Sequence, residues 1–336
     1  MRRPGVDTRI PGPKGPRAFP AAFREYGPVF ALILCTACWS TTFFMMKWGS
    51  AGVAGAIPGS AVSLAPLLFL FLRFVLGTAL LPVASPRSVR RLDRGTLWRG
   101  VLLGLPVAAA FIMQIYGLGG VSPGISAFLT SLFVVFTPIL GWLTGTEKPR
   151  LVLAGAVALS LAGVFLLAGS GGESTVLGVV LSVTAAVLWA VQIILTDRFT
   201  KRVDPDALCL VQTAFSAVCL LAALAVMPGG AALLDPALLF GVLRVASATV
   251  GIVVTAVFGS VAAQLLMNRY QKLVSPNRAA LIYMAEPFFA LLFSVVMCPI
   301  VSAGFTETLT WSKLGGGFLI LLAIYWLERS RRGRKR

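Results

Sequence analysis

The 336-residue sequence contains no histidine, and this absence removes several classes of enzyme site at once. Nucleophile–histidine pairs and zinc sites with histidine ligands both require the imidazole ring. The sequence also lacks a glycine-rich phosphate-binding loop with its lysine, so it encodes no site for direct ATP drive. Only 12 Asp and Glu residues are present, and few of them lie in apolar segments. We therefore expect no enzymatic activity, no metal site and no cofactor.

The sequence has only five cysteines. Cys35 and Cys38 have the spacing of a redox or zinc motif, but both lie inside one apolar segment and no second pair is nearby. A free cysteine in such a segment behaves as a small hydrophobic residue. Cys209, Cys219 and Cys298 also lie within or at the ends of apolar segments. We expect Cys35 and Cys38 to be packing residues, and we expect no disulfide framework.

Apolar residues are abundant. The sequence is 57% hydrophobic and 12% charged, against about 25% charged in soluble domains, and its mean hydropathy is +0.89. A helix needs roughly 20 mostly apolar residues to cross a bilayer. The sequence therefore predicts an all-α membrane protein with ten transmembrane helices. The predicted spans are Gly27–Lys47, Leu64–Ala84, Gly100–Gly117, Ser122–Gly145, Leu151–Ala168, Thr175–Thr196, Ala207–Met227, Ser247–Met267, Arg278–Pro299 and Thr310–Leu327.

Positive charges indicate how these spans are oriented. Of the 29 Lys and Arg residues, 25 precede the first span, follow the last span, or lie on alternate loops between spans. Lysine and arginine are retained on the cytoplasmic side of a membrane. We expect a multi-pass protein of the bacterial cytoplasmic (inner) membrane with both termini in the cytoplasm. Loop charge also accounts for the net charge of +17, so we do not interpret that charge as a sign of nucleic-acid binding.

The chain carries a faint internal repeat. Val121–Pro123 precedes the fourth span, and the same Val-Ser-Pro sequence returns 153 positions later as Val274–Pro276 before the ninth. Trp39 in the first span is followed 150 positions later by Trp189 in the sixth. The similar offsets predict a duplicated unit of five spans. Because five is an odd number, the second copy must be inverted in the membrane, which is typical of secondary transporters. The alternative is a repeated scaffold with no transport role.

These observations divide the chain into four parts. Residues 1–26 are predicted to form a disordered basic cytoplasmic arm, which is rich in proline, glycine and arginine and is not a cleaved signal peptide. Residues 27–170 form the first five-helix repeat and residues 171–328 the second. Residues 329–336 form a basic cytoplasmic tail.

Four segments resemble a known family. The segments Trp39–Gly49, Leu72–Phe74, Ala127–Pro138 and Ala279–Ala290 are similar to those of EamA-type members of the drug/metabolite transporter superfamily, and Glu-Pro within the last segment is the most specific element. The resemblance covers residues 28 to 327. It implies ten helices in two inverted repeats and export of amino acids, other metabolites or toxic compounds.

Two charges lie within predicted spans, at similar depth near the bilayer midplane. A charged side chain at the centre of a membrane helix costs about 2.5–3.5 kcal/mol even on conservative scales, so a compensating interaction is expected. Arg73 and Glu286 could form an ion pair that only holds helices together. Alternatively, both could face a water-filled cavity, where Arg73 would bind a substrate carboxylate and Glu286 would bind an ammonium group or carry a proton.

Polar and aromatic residues from several spans complete the candidate site. Tyr283, Glu286 and Ala290 share one helix face, and the repeat offset maps these three onto Thr130, Phe133 and Thr137. This composition suits a small amphipathic solute, such as an amino acid with an apolar side chain. The substrate-binding candidates are Trp39, Phe43, Arg73, Gln114, Thr130, Phe133, Thr137, Trp189, Gln192, Gln264, Tyr283 and Glu286.

We interpret the chain as a secondary active transporter of small organic metabolites or drug-like compounds that works by alternating access about a midplane cavity. The resemblance favours export. Its expected partners are the substrate and membrane lipids, with protons as a candidate coupling ion through Glu286; the substrate gradient alone is the other possible drive. Two alternatives stay open: a flippase for lipid-linked or nucleotide sugars, and a membrane receptor or scaffold that transports nothing.

Overall fold

The computed structural model describes residues 21–121, 123–145, 151–168, 175–301 and 310–332. Within these ranges the chain is helical and contains no β-strand. Most of the predicted arm (1–20) and the end of the tail (333–336) lie outside the described residues. The α-helices are α1 (Ala21–Ala56), α2 (Ala65–Ala84), α3 (Arg87–Arg90), α4 (Arg94–Gly119), α5 (Pro123–Ser131), α6 (Phe133–Leu143), α7 (Leu151–Ala168), α8 (Val176–Thr200), α9 (Pro205–Val226), α10 (Pro236–Arg244), α11 (Ala246–Val254), α12 (Gln264–Tyr270), α13 (Pro276–Tyr283), α14 (Glu286–Ile300) and α15 (Trp311–Arg332).

Apolar helices occur at each of the ten predicted spans. Seven segments of the described chain are long and apolar enough to cross a bilayer: Tyr26–Ala56, Gly59–Ala84, Arg94–Gly119, Val176–Thr200, Pro205–Val226, Ala246–Leu273 and Pro276–Ile300. Three shorter apolar helices, Phe128–Leu143, Leu151–Leu166 and Trp311–Leu327, lie at the predicted fourth, fifth and tenth spans. The total of ten spans stays a prediction.

The helix ends differ from the predicted span ends. Helix α1 begins at Ala21, so the last part of the predicted arm, residues 21–26, is helical rather than disordered. No proline or glycine separates Pro20 from Gly27, and the residues between them have fair helix propensity. At its other end α1 continues past Lys47 to Ala56. The hydrophobic thickness of a bilayer limits the apolar run but does not stop the helix.

Acidic residues mark the starts of three helices. Asp93 accepts a hydrogen bond from the Thr96 backbone N at 2.6 Å before α4, and Asp204 and Asp235 accept backbone N–H groups at the starts of α9 and α10. A carboxylate at this position satisfies donors that have no partner inside the helix and interacts favourably with the helix dipole.

Two membrane helices are broken at corresponding positions. Helix α5 ends at Ser131 and α6 begins at Phe133, while α13 ends at Tyr283 and α14 begins at Glu286. The starts of α6 and α14 lie 153 positions apart, the same offset as the repeated Val-Ser-Pro sequence. Broken helices in both halves of a transporter usually surround its binding site.

Helices at corresponding positions in the two halves pack against each other in opposite directions. Gly155 of α7 lies against Trp326 of α15, and Gly163 lies against Ile320, so the two helices run antiparallel. Helices α2 and α9 are also antiparallel, because Ser85 contacts Asp206 whereas Gly77 lies near Thr213. The glycines on α7 allow this close approach: a Cβ atom at Gly163 would lie 2.5 Å from the Gly316 carbonyl oxygen.

A charged network joins three helices at one end of the bundle. The Arg269 Nε atom lies 2.6 Å from Oδ1 of Asp206, and Arg269 Nη2 donates to Asp206 Oδ2 at 2.7 Å. The Ser85 hydroxyl donates to the same Oδ2 at 2.6 Å. The network therefore connects α2 in the first half with α9 and α12 in the second. Lys272 follows α12 three residues after Arg269 and lines a surface cavity with Arg198, and we call this end of the bundle the basic end.

Candidate functional site

A cavity of about 80 Å³ lies between helices of both halves. The helices α1, α4, α8 and α12 line it together with the two broken helices, α5–α6 and α13–α14, at their breaks. Its described lining residues are Trp39, Thr42, Phe43, Met46, Phe111, Gln114, Thr130, Ser131, Phe133, Trp189, Gln192, Ile193, Gln264, Met267, Tyr283, Glu286 and Pro287.

Corresponding positions of the two halves face the same cavity. Trp39 and Trp189 are 150 positions apart, as are Gln114 and Gln264. At the helix breaks, Thr130 and Tyr283 are separated by 153 positions. The cavity is therefore built twice from equivalent parts, and the differences between paired positions define its chemistry.

Glu286 supplies the carboxyl group of the cavity. It is the first residue of α14, and its backbone oxygen accepts a hydrogen bond from Ser40 Oγ at 2.9 Å. Its carboxyl group makes no hydrogen bond or ion pair with any residue that the structure describes. The position at a helix N-terminus favours a negative charge. Glu286 therefore presents an unpartnered acid to whatever occupies the cavity.

Arg73 lies behind the cavity wall rather than in it. Its side chain is 1% exposed, and Nε donates to Ser260 Oγ at 3.0 Å while Nη1 contacts Met46 Sδ at 3.2 Å. The guanidinium carbon lies 4.8 Å from the ring centroid of Phe111. Met46 and Phe111 both line the cavity, and Arg73 does not. The structure thus differs from the prediction that Arg73 faces the cavity, because its polar contacts are satisfied within the helix packing.

The packing around Arg73 involves a π-helix. Residues Thr255–Ala263 form a π-helix between α11 and α12, and π-helical segments are often associated with function. Gly259 in this segment faces the guanidinium group. A Cβ atom there would lie 2.4 Å from Arg73 Nη2 and 2.6 Å from Thr42 Cγ2. Only glycine leaves the space that the Arg73 head group occupies.

The structure contains no direct ion pair between Arg73 and Glu286. None of the Arg73 nitrogens lies within 4.0 Å of a Glu286 carboxyl oxygen, although the two groups interact electrostatically at longer range. The predicted alternative, in which this pair holds the helices together, is therefore not what the structure shows. Ser260, Met46 and the aromatic rings stabilise Arg73 instead.

Aromatic and amide side chains hold the cavity walls in place. The Trp39 ring meets Tyr283 edge-on at 5.2 Å, and Phe111 meets Trp189 at 4.9 Å. Trp189 Nε1 donates to Gln114 Oε1 at 3.2 Å. The Tyr283 hydroxyl donates to Gln271 Oε1 at 3.0 Å, outside the cavity lining. Aromatic rings in contact with one another therefore form part of the cavity wall.

Ten of the twelve predicted site residues line the cavity; Arg73 and Thr137 do not. Thr137 is fully buried in α6, and its hydroxyl donates to the Phe133 carbonyl at 2.7 Å, so its own helix satisfies it. The prediction missed seven lining residues. These are Thr42, Met46, Phe111, Ser131, Ile193, Met267 and Pro287.

A signal for some of the missed residues was present in the sequence. Thr42 lies 150 positions before Gln192, and Phe43 lies 150 positions before Ile193, so applying the repeat offset to every candidate finds Thr42 and Ile193. Met46 and Met267 offer no such signal, because an apolar residue in an apolar segment does not indicate which way it faces. No group of three or more cysteine or acidic side chains suited to a metal ion occurs in the described ranges.

Comparison with known proteins agrees with this architecture. The model of the EamA-like transporter family matches residues 27–169 and again residues 176–329, so one family unit occurs twice in the chain. A solved crystal structure with 18% sequence identity has the same fold, with a TM-score of 0.65. The match covers 93% of this chain and 100% of that one.

Two named relatives are similar over part of their length. An uncharacterized transporter of Archaeoglobus fulgidus is 27% identical over 225 residues, which is 67% of this chain and 67% of the relative. The uncharacterized transporter YvbV of Bacillus subtilis is 28% identical over 188 residues, 53% of this chain and 59% of the relative.

Proposed function

Because the chain belongs to the EamA-like transporter family, and is thus a multi-pass membrane transporter of the drug/metabolite transporter superfamily, we propose that it carries small organic solutes through its central cavity by alternating access. The observation that supports this most directly is the cavity itself. Both halves of the chain line it with equivalent positions, and both broken helices meet there. A site at the boundary of two repeats can be exposed to either side when the halves rock.

The transport mechanism requires a specific topology. We propose that the protein has ten spans in two inverted five-helix repeats, residues 27–170 and 171–328. Two observations support it: the paired helices α7–α15 and α2–α9 are antiparallel, and the breaks in α5–α6 and α13–α14 are equivalent. In this arrangement the two repeats have equivalent helices and equivalent helix breaks but opposite orientations in the membrane.

We also propose which end of the bundle faces each side of the membrane. The basic end, with its alternate arginine- and lysine-rich loops, faces the cytoplasm of a bacterial cell, and both termini lie there. Transport then proceeds outward, as the family resemblance implies. The network of Ser85, Asp206 and Arg269 joins the two halves at this end, so inward opening has to separate Ser85 from Asp206.

A phosphate-containing substrate fits the cavity less well than a solute without phosphate. No lysine or arginine belongs to its described lining, and Arg73 lies behind Met46 and Phe111. A flippase for lipid-linked or nucleotide sugars needs cationic groups to replace the water around its phosphates. This observation favours metabolites or drug-like solutes over such lipids.

Purified full-length protein in liposomes provides the test. We expect saturable flux of at least one solute from a panel of amino acids, amines and organic acids, above that of protein-free liposomes. The variant Thr130→Trp, which places a large ring in the cavity, should abolish this flux. Val250→Trp, on an exposed face of α11, should retain it. Absence of flux for every solute with correctly folded protein would identify a receptor or scaffold instead.

The proposal gives Glu286 a second role as the proton-coupling group. Its carboxyl group is unpartnered in the cavity, and the titratable groups that interact with it are Arg73, Tyr283 and Cys35. If protons drive transport, an imposed pH gradient should accelerate flux and Glu286→Gln should remove this acceleration. Acceleration that persists in Glu286→Gln would assign coupling to another group, and equal flux with and without a gradient would indicate transport down the substrate gradient alone.

A further inference from the structure

We infer that the solute bound in this cavity is an organic cation with an aromatic or bulky apolar group, and that Glu286 is its counterion. This inference rests on the proposed transport function, because it names the substrate class of the same site. Three independent observations carry it: the charge of the lining, the position of Arg73 and the arrangement of the rings.

The first observation is charge. Among the described lining residues, Glu286 is the one with a carboxyl group, and none is lysine or arginine. Its carboxyl group has no hydrogen-bond or ion-pair partner among the residues that the structure describes. In a site with little water, an opposite charge on the ligand stabilises such a group and a like charge is strongly unfavourable. The lining therefore selects a positive solute over a negative one.

The second observation concerns Arg73, the residue that would otherwise bind a substrate carboxylate. Two of its nitrogens are already used by Ser260 and Met46, and Nη2 is directed at Gly259. The Met46 side chain and the Phe111 ring separate it from the cavity. A zwitterionic amino acid would find a charged partner for its ammonium group but no cationic partner for its carboxylate, which could bind only neutral amide or hydroxyl donors. The structure thus favours an amine or quaternary ammonium compound over the amino acid that the sequence suggested.

The third observation is the ring arrangement. Glu286 shares the cavity with two edge-to-face ring pairs, Trp39 with Tyr283 and Phe111 with Trp189. The face of an aromatic ring attracts a cation, and tryptophan does so most strongly. Rings from four helices together with a single carboxylate suit an ammonium group attached to an apolar body.

Binding of small aromatic probes to the full-length protein in detergent tests the inference. Benzyltrimethylammonium has a permanent positive charge and no hydrogen-bond donor, and 3-phenylpropionate is an anion of similar size. Isothermal titration calorimetry should give a dissociation constant for the cation at least about tenfold below that of the anion. L-phenylalanine should bind more weakly than the cation. Binding of 3-phenylpropionate or phenylalanine as tight as that of the cation would overturn the assigned class.

Three variants test Glu286 as the counterion. Glu286→Gln should raise the dissociation constant for benzyltrimethylammonium about 10- to 100-fold, the range expected for loss of a charge-assisted contact. Glu286→Asp keeps the charge and should bind the cation more tightly than Glu286→Gln. Asp235→Asn removes an exposed carboxylate before α10 while keeping a side chain that can cap the helix, so it should bind like the unmodified protein. Unchanged cation binding in folded Glu286→Gln would refute the inference.

Flux measurements with the same probes separate this inference from the proposed function. Flux of 3-phenylpropionate or phenylalanine without flux of the cation leaves transport intact and refutes the cation class. Specific cation binding that depends on Glu286, with no flux of any solute, supports the binding site and refutes transport. Flux of the cation that Glu286→Gln abolishes supports both.

Discussion

Glu286 occupies the position in the second half of the chain that Phe133 occupies in the first. The two residues lie 153 positions apart, each begins the helix that follows a break, and both line the same cavity. The cavity is therefore lined from equivalent positions of both halves but carries its carboxyl group in the second half alone. Among the described lining residues, this difference supplies the one charged group, and with it the inferred preference for a positive ligand.

Exchange of these two residues is the first test of that symmetry. The double variant Phe133→Glu, Glu286→Phe moves the carboxyl group to the equivalent position across the cavity. We expect it to bind benzyltrimethylammonium more tightly than Glu286→Phe alone, because both positions line the same cavity. Calorimetry measures this, with melting temperature as the check on folding. Equal affinity of a folded double variant and Glu286→Phe would contradict the equivalence.

Gly259→Ala should destabilise the protein. The added methyl group would meet Arg73 Nη2 and Thr42 Cγ2 at distances well below contact, and overpacking of this kind costs about 1–3 kcal/mol. Thermal melting in detergent should show a lower melting temperature. Gly55→Ala is the matched control, since a Cβ atom there meets nothing within 4 Å, and it should be neutral or stabilising by up to about 1 kcal/mol. Unaltered melting of Gly259→Ala would mean that Arg73 is not confined as described.

Arg73 should depend energetically on Ser260 more than on Glu286. A hydrogen bond that involves a charged group contributes about 1.5–3 kcal/mol, and contacting residues give non-additive changes. In double-mutant cycles of unfolding free energy, Arg73→Gln with Ser260→Ala should couple by at least about 0.5 kcal/mol. The cycle of Arg73→Gln with Glu286→Gln should couple more weakly. Rescue of a destabilised Arg73→Gln by Glu286→Gln would instead indicate that the two charges pair.

Ser85→Ala should loosen the basic end. It removes the hydroxyl that donates to Asp206 Oδ2 across the two halves, a loss of about 1–2 kcal/mol for a partly exposed network. Hydrogen exchange of backbone amides at the ends of α2 and α9 should become faster. Lys201→Ala breaks the Lys201–Asp197 ion pair within α8, where Lys201 is 51% exposed, and should leave exchange at these ends unchanged. Equal effects of the two substitutions would show that the network does not join the halves.

The sequence predicts where the membrane segments lie because the thickness of the bilayer sets the length of apolar sequence that each segment needs. The apolar stretches, the repeat offsets and the Glu-Pro pair at the start of α14 are all visible without coordinates. The break before Phe133 is not, because no proline or glycine marks it and α6 instead runs through Pro138. Only the packing of α6 and α13 shows that the two breaks meet.

Prediction of the individual site residues from the sequence is limited in the same way. Polar residues within the membrane segments are rare, so residues such as Gln114, Gln192 and Gln264 could be selected from the sequence, and they line the cavity. The sequence places Arg73 near the middle of its membrane segment, but it does not show that the side chain packs behind the cavity wall rather than in the cavity. Depth follows from sequence position, whereas the direction of a side chain depends on a π-helix and on Gly259, which no apolar pattern predicts.

The matched helix breaks also show what a single chain permits that a pair of identical half-length chains would not. Two identical half-length chains inserted in opposite senses would have placed the same residue at both break positions, giving either two rings or two acids facing each other. Two adjacent acids would repel one another, and two rings would carry no charge. In a single chain that contains the family unit twice, the two copies can differ, so one half can supply an acid where the other supplies a ring.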